Sequence, residues 1–197
     1  MDLINVEKHI PWVVFDAKDW LETYLKGNMK VFEWGSGGST LYFAKKVAKI
    51  ISVEHDEAFY KEVSNVILKE NIKNCEYFLI KPIEILSAKY LLYDTETYTS
   101  RTFKEYRSFH FRDYVKKIDS FSDNYFDLIL IDGRSRASCI KHSIKKIKIG
   151  GFLVLDNSER EDYKPAMKLL NKFNRTDFFG HGPYIKEPWQ TTIWKIC

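Results

Sequence analysis

The sequence is poor in the features that mark secreted, fibrous and membrane proteins. Its 197 residues include three cysteines, nine glycines and five prolines. Cys75, Cys139 and Cys197 are odd in number and widely spaced, which fits neither a disulfide framework nor a zinc site, so we expect reduced thiols. No apolar run approaches the roughly 20 residues that span a bilayer, and no signal-like segment opens the chain. These absences predict a soluble, cytoplasmic protein with no membrane partner.

The chain also has little excess charge of either sign, since its formal net charge is +4. The densest basic patch falls on a predicted helix over residues 135–147, opposite its apolar stripe. We interpret that patch as a solvated helix face rather than a nucleic-acid surface. We therefore expect a small-molecule partner and no nucleic-acid partner, and the sequence is compatible with a homodimer.

Strand-like and helix-like patterns alternate along the chain. A first strand begins at residue 31, and further strands are predicted at 49–54, 75–81, 126–132, 151–156 and 190–196, with helices near 39–48, 57–70, 135–147 and 161–173. An N-terminal segment, 1–28, carries a leading helix over 16–26 with Asp16 as its N-cap. The length and 45% hydrophobic content suit one α/β domain over 1–197. The pattern predicts a Rossmann-like, doubly wound, mainly parallel sheet with helices on both faces.

Residues 84–125 interrupt the alternation, because roughly 40 residues separate two strands where a short helix would suffice. Aromatic and basic side chains crowd this insertion: Tyr90, Tyr93, Tyr98, Phe103, Tyr106, Phe109, Phe111 and Tyr114, with Arg101, Arg107, His110 and Arg112. The segment is either a lid or substrate wall, or an extension that packs its aromatics on the sheet.

The most informative motif is a glycine turn between the first predicted strand and the following helix. Gly35 and Gly37 lack a Cβ, so the turn can adopt positive φ and bring its amides close to a ligand at a helix start. Glu33 precedes the turn, and Glu54 follows the next strand about 20 residues on, where a carboxylate can accept ribose hydroxyls. A dinucleotide fingerprint would need a third glycine where Thr40 stands. The spacing therefore points to a bound nucleoside, and an ordinary tight turn is the alternative.

The Glu33-x-Gly35-x-Gly37 pattern resembles the first motif of class I S-adenosylmethionine-dependent methyltransferases. The resemblance covers the chain from about residue 30 onward, and implies a seven-stranded sheet whose reversed last strand, Thr191 to Ile196, pairs with one around Phe178 and Phe179. It also implies that Glu33 orients the methionine part of the cofactor through the loop and that Glu54 holds the ribose. The cofactor-binding residues that we assign are Glu33, Gly35, Ser36, Gly37, Ser39, Thr40, Glu54, His55, Glu84 and Asp132.

Two further strands end in polar side chains. Asp132 follows the fourth main strand, and Asp156 and Asn157 follow the fifth, so their oxygens converge at one sheet edge and suit Mg²⁺, Ca²⁺ or Mn²⁺. This trio resembles the metal ligands of the catechol-type O-methyltransferases. That family places a lysine base at the position that is Ser135 here. Turn acids that cap the following helices are the alternative interpretation.

Ser135 stands at the position of the lysine base and has an arginine on each side. Arg134 and Arg136 stay charged, so we expect them to grip an acidic group of the acceptor rather than accept a proton. The catalytic candidates are Asp132, Arg134 and His181, the last as a general base in a glycine turn, with a plain turn residue as its alternative.

The sequence thus predicts a methyltransferase that uses S-adenosylmethionine to methylate an oxygen of a small, anionic acceptor with help from a divalent metal. A metal-independent methyltransferase and a nucleoside-binding module without chemistry remain open as alternatives. A dinucleotide oxidoreductase is a more distant one.

Overall fold

A computed structural model describes residues 8–85, 94–100, 106 and 108–197 of the chain. The strands are β1 (Lys30–Trp34), β2 (Lys49–Glu54), β3 (Cys75–Leu79), β4 (Ile83–Glu84), β5 (Phe109–His110), β6 (Phe126–Ile131), β7 (Ile147–Asp156), β8 (Asn174–Gly180) and β9 (Trp189–Lys195). The α-helices are α1 (Phe15–Tyr24), α2 (Gly38–Ala44), α3 (Glu57–Lys69), α4 (Arg112–Lys116), α5 (Arg136–Ser143) and α6 (Lys164–Met167). Short 3₁₀ turns cover Lys117–Ser120, Glu161–Tyr163 and Lys168–Leu170.

Seven of the strands form one sheet in the order β3-β2-β1-β6-β7-β9-β8. The first five run parallel, whereas β9 is antiparallel to β7 and β8 is antiparallel to β9. The predicted doubly wound sheet with a reversed last strand is therefore confirmed. Its strand order reverses between β1 and β6, which is where such folds bind ligands.

The core lies on both faces of the sheet, because the central strands are apolar at nearly every position. Phe32 and Ile129 pack on the face that also carries α4, α5 and α6, while Val31 and Leu128 pack on the face covered by α1. Successive residues of a strand point to opposite faces, so a strand covered on both sides needs a continuous apolar run. This confirms the sequence interpretation of 126–132 as a central strand.

The helix predicted over 135–147 is too long. It ends at Ser143, and Ile147 is instead the first residue of β7, buried and paired with Phe126. Gly150 follows with φ +86, and the register against β6 shifts there. The strand therefore begins irregularly, and the spacing of its first apolar residue resembled that of a helix. The basic patch is accordingly not one helix face.

Two further helix boundaries differ from the prediction. The leading helix begins at Phe15 after Val14, so Asp16 lies in its first turn and is not the N-cap. The helix predicted over 161–173 is broken into two 3₁₀ turns around the four residues of α6. Among the described helices, none combines the length and apolarity needed to cross a bilayer.

The 84–125 insertion is described in part, and so is the N-terminal segment. Residues 1–7, Tyr90, Tyr93, Arg101, Phe103 and Arg107 lie outside the described residues. Phe111 and Tyr114 are fully buried in the main core, with Tyr98, Tyr106 and Phe109 packed against it. These aromatics therefore pack on the sheet, as one of the two interpretations expected, and the lid interpretation is untested.

Candidate functional site

The candidate site lies at the carboxyl ends of β1 and β6, where the strand order reverses. The turn after β1 approaches the turn after β6 so closely that a Cβ on Gly35 would come within 2.7 Å of Gly133 Cα. Gly35 also has φ +89, a conformation that side chains other than hydrogen disfavour. The glycines thus let the two turns meet at the point where a nucleotide-binding sheet receives its ligand.

Glu33 is buried beneath this turn and is linked to it by hydrogen bonds through Thr40. The Gly37 amide donates to Thr40 Oγ1 at 3.1 Å, and Thr40 Oγ1 in turn donates to Glu33 Oε1. Ser52 Oγ donates to the same carboxylate oxygen at 2.7 Å. Thr40 stands where a dinucleotide fingerprint has its third glycine, and its hydroxyl explains the difference, since it links the turn to the strand end.

The second oxygen of Glu33 has no partner among the described residues. Glu33 Oε2 is fully buried and makes no hydrogen bond there. Burial raises the pKa of Glu33 to about 7, even though the hydrogen bonds from Thr40 and Ser52 act in the opposite direction. A carboxyl group that is partly protonated near neutral pH therefore lies below the Gly35–Gly37 turn.

Glu54, at the end of β2, is buried and fully engaged by the protein. Its Oε2 accepts from the Ser36 amide at 3.1 Å and the Ser36 hydroxyl at 2.9 Å. Its Oε1 accepts from the amides of His55 and Asp56 at 2.7 and 2.9 Å. Burial would raise the pKa of Glu54, but these contacts and the His55 ring outweigh it, and the pKa is lowered. Glu54 is therefore an ionised acceptor against the turn.

His55 and Arg134 meet across the end of β1. Arg134 Nε donates to His55 Nε2 at 3.2 Å, while His55 Nδ1 lies 2.6 Å from Glu54 Oε1. Tyr106 contacts both, with its ring centroid 5.1 Å from the imidazole and 5.3 Å from the guanidinium carbon. Arg134 thus lies beside the residue that follows Glu54.

The two aspartates predicted to bind a metal flank Arg136. Its Nη2 donates to Asp132 Oδ1 at 2.9 Å, and its Nη1 donates to the Asp156 carbonyl at 2.5 Å and lies 3.9 Å from Asp156 Oδ2. Asp156 Oδ1 already accepts from Trp189 Nε1 at 2.8 Å and from Thr191 Oγ1 at 2.7 Å.

This arrangement does not fit the predicted Mg²⁺, Ca²⁺ or Mn²⁺ site. A buried guanidinium supplies the positive charge between the carboxylates, and a dication there would meet that charge at close range. Among the described residues, no cluster of three histidine, cysteine or acidic side chains is arranged to hold a metal ion. Burial raises the pKa of Asp132 and of Asp156, and Arg136 opposes the rise.

Two polar residues at the same edge adopt left-handed backbone conformations. Ser135 has φ 52 after β6, and Asn157 has φ 50 after β7. The Ser135 hydroxyl is buried and has no hydrogen-bond partner among the described residues. Strained residues with unsatisfied polar atoms are typical of functional sites, so Ser135 joins the candidates although the sequence suggested it only as a missing lysine.

The remaining predicted residues differ in placement. Ser39 is buried below the turn beside Glu33. Glu84 lies exposed in the short β4-β5 pair, and no described contact joins it to the turn. His181 is exposed, and its Nδ1 lies 2.8 Å from the Lys186 carbonyl in the β8-β9 connection. The structure therefore does not bring Glu84 or His181 to the site.

Sequence reasoning missed Tyr114 as a site residue. Its ring lies in the insertion cluster, but a Cβ on Gly133 would clash with its hydroxyl, which places Oη directly against the β6 turn. Oη is buried and has no hydrogen-bond partner among the described residues. The crowding of aromatics was the signal available in the sequence, and the contact with Gly133 arises from the fold.

No family model and no curated sequence matches the chain significantly. Several solved structures, in contrast, match the fold of the chain. An rRNA methylase from Streptococcus thermophilus superposes with a TM-score of 0.62 at 14% identity, covering 92% of this chain and 95% of that one. A methyltransferase-like protein from Streptococcus mutans, in complex with S-adenosylhomocysteine, gives 0.58 at 13% over 91% and 96%.

An S-adenosylmethionine-dependent O-methyltransferase from Thermotoga maritima gives a TM-score of 0.57 at 14% identity, over 95% of this chain and 68% of that one. At such identities the likeness establishes a methyltransferase-type fold. A specific likeness to the catechol-type enzymes is not established. The chemistry has to be argued from the site.

Proposed function

We propose that this protein binds S-adenosylmethionine at the Gly35–Gly37 turn and transfers its methyl group to an oxygen of a small acceptor. The observation that carries the proposal is the pair of carboxylates around that turn. Glu33 holds the turn from below through Thr40, and Glu54 holds Ser36 from the neighbouring strand. The methyltransferase-type fold supports the same assignment.

The two oxygens of Glu54 suggest how the ribose would bind. Oε1 accepts from two backbone amides, which cannot turn away, whereas one of the two donors to Oε2 is the rotatable Ser36 hydroxyl and the other is the Ser36 amide. We expect a ribose hydroxyl to take the place of Ser36 Oγ at Oε2. The amides at the start of α2 would then face the methionine part of the cofactor.

Methyl transfer asks mainly for alignment and exclusion of water. Asp132 is the candidate proton acceptor for the acceptor hydroxyl, because it retains 20% side-chain exposure and Arg136 occupies its Oδ1. Burial raises the pKa of Asp132, which suits a general base. Arg134 could grip an anionic acceptor only after leaving His55.

The metal-independent form of this reaction is the one we favour. Arg136 already neutralises Asp132 and Asp156, so the site has a positive charge without a bound cation. Residues that would hold Mg²⁺ are engaged by Trp189, Thr191 and Arg136. Activity in the presence of a chelator is accordingly expected.

A nucleoside-binding module without chemistry is the second candidate. The observation that favours it is the His55–Arg134 contact, which closes the space above β1 with the protein's own side chains. A module of this kind would bind the nucleoside and present no acceptor site beside the sulfonium methyl group.

Calorimetric titration with S-adenosylhomocysteine and, in parallel, with NAD tests the proposal. We expect binding of the first ligand alone, unchanged by EDTA, and weakened at least tenfold in Glu54→Gln. Glu57→Gln is the matched control, because Glu57 is an exposed acid close in sequence that pairs with Lys61 and Lys81. Absence of S-adenosylhomocysteine binding by the wild type would refute the proposal, and tight NAD binding would favour a dinucleotide enzyme.

A further inference from the structure

Among the described residues, no strand pairs with the outer edge of β8. β8 ends the seven-stranded sheet, and its first four residues, 174–177, are all exposed. It pairs with β9 in unbroken register over seven positions, without a bulge or a proline. A regular edge of this kind presents backbone amides and carbonyls that can pair with another strand.

The strand at the opposite edge, β3, is less exposed, and its side chains are packed on both faces of the sheet. β3 has no fully exposed stretch, and the Lys117 ammonium lies 3.7 Å from the ring centroid of Phe78. Tyr60 stacks on Tyr77 with ring centroids 4.5 Å apart. Among the described residues, β8 is therefore the more exposed of the two edge strands.

Charged residues on β8 alternate in sign. Arg175 and Asp177 point to the same face, and each side chain is 43% exposed. Charges on an edge strand normally prevent association, because an identical strand would bring like charges together. In an antiparallel pairing centred on Thr176, however, Arg175 lies opposite Asp177 of a second copy, and the reverse holds as well.

Both side chains keep unused hydrogen-bonding groups for such a pairing. Arg175 uses Nε to donate to Asp177 Oδ1 at 2.8 Å. Thr192 and Gln190 donate to that same oxygen, at 2.6 and 3.4 Å. Among the described residues, no hydrogen bond involves Asp177 Oδ2 or the terminal nitrogens of Arg175, whose guanidinium carbon lies 5.6 Å from the Trp194 ring centroid.

We propose that β8 is a dimerisation edge that pairs antiparallel with β8 of a second copy about Thr176. The terminal nitrogens of each Arg175 donate to Oδ2 of the second copy's Asp177, so the two sheets become continuous. The same register brings Phe179, which is 65% exposed, beside the second copy's Phe173. This interface does not depend on the proposed catalytic function.

Charge inversion with mixing tests the interface on the full chain by sedimentation velocity. Arg175→Asp makes both positions acidic, and Asp177→Arg makes both basic. Each variant alone should dissociate, with a dimer dissociation constant raised about tenfold or more, and an equimolar mixture should restore the dimer. Lys164→Glu carries the same charge change as Arg175→Asp outside β8 and is the matched control, expected to stay dimeric.

Mixing separates the interface from the internal Arg175–Asp177 pair, since neither variant regains that internal pair in the mixture. A wild type that is monomeric at every concentration overturns the proposal, as does a mixture that stays monomeric while the wild type dimerises. If a variant fails to fold, hydrogen exchange of the wild type decides. The β8 amides should then exchange several-fold more slowly in concentrated than in dilute protein, and equal rates overturn the proposal.

Discussion

Arg136 donates to Asp132 Oδ1 at 2.9 Å from a position that is itself 7% exposed. The same guanidinium reaches the Asp156 carbonyl, so one cation serves the ends of both β6 and β7. The site edge is therefore organised by a fixed side chain, and its stability and metal response should depend on that side chain.

Replacing Arg136 with methionine should cost about 3–5 kcal/mol of unfolding free energy, because it leaves two neighbouring carboxylates without their cation. Without Arg136 the pKa values of both carboxyls should rise further, so the loss should be smaller at pH 5 than at pH 7.5. Urea unfolding at both pH values measures it, and Arg112→Met, at an exposed arginine of α4, is the control. An equal loss at the two pH values would contradict the electrostatic explanation.

The same variant should respond to Mg²⁺ where the wild type does not. Once the guanidinium is removed, a dication can take its place between Asp132 and Asp156 and displace their protons. Thermal unfolding with and without millimolar Mg²⁺ tests this, with EDTA as the baseline. Stabilisation of the wild type by Mg²⁺ would show that Arg136 does not stand in for a metal.

Glu33 should make stability fall as pH rises. Its folded pKa, about 7, lies above the ordinary 4.5, so between these values the folded state binds more protons than the unfolded state. The stability of the protonated form is present below about pH 4.5 and is lost as pH rises to about 7, by about 3 kcal/mol at most. In denaturant unfolding, Glu33→Gln should remove the part of this slope that Glu33 contributes and leave the part due to Asp132 and Asp156, whose pKa values burial also raises. Glu57→Gln should keep the whole slope.

Tyr114→Phe should stabilise the ligand-free protein by about 1 kcal/mol, because it removes a buried hydroxyl that has no described partner. The hydroxyl lies against the turn after β6, so we expect the same change to weaken S-adenosylhomocysteine binding. Tyr184→Phe, which also removes an unpartnered hydroxyl, should alter stability without altering binding. Differential scanning calorimetry with and without the ligand separates the two effects. Unchanged affinity in Tyr114→Phe would leave the hydroxyl without a role in binding.

Gly133→Ala should destabilise the protein by about 1–3 kcal/mol, because the added methyl group would collide with Tyr114 Oη and approach the Gly35 amide to 2.8 Å. Tyr114→Phe in the same chain should recover part of the loss, since it removes the shortest of the three close contacts. Unfolding free energies of the four proteins of this cycle give the coupling. Strict additivity would mean that the residues do not touch.

The alternating strands and helices and the glycine turn were predictable because apolar runs and strand-end acids are local patterns, whereas the reversed last strand followed from the resemblance to methyltransferases. The ion pairs of Arg136 were not predictable. Carboxylates at two strand ends predict a bound metal as well as an arginine between them, and the sequence does not give the orientation of the Arg136 side chain. Ile147 was misassigned for a similar reason: its spacing from Ile140 and Ile144 fits a helix, and only pairing with Phe126 makes it a strand residue. His181 and Glu84 fall in connections whose direction the sequence does not define.

The hydroxyl of Thr40 receives a hydrogen from Gly37 and gives one to Glu33. The protonation of Glu33 and the binding of a ligand at the turn therefore both act on the same three atoms, which are Gly37 N, Thr40 Oγ1 and Glu33 Oε1. Because Glu33 has its pKa near neutrality, occupation of the turn must shift the proton affinity of Glu33 in proportion to its effect on Thr40. Any ligand that this turn binds should consequently take up or release a fraction of a proton, and its apparent affinity should vary across the pH range of the cell.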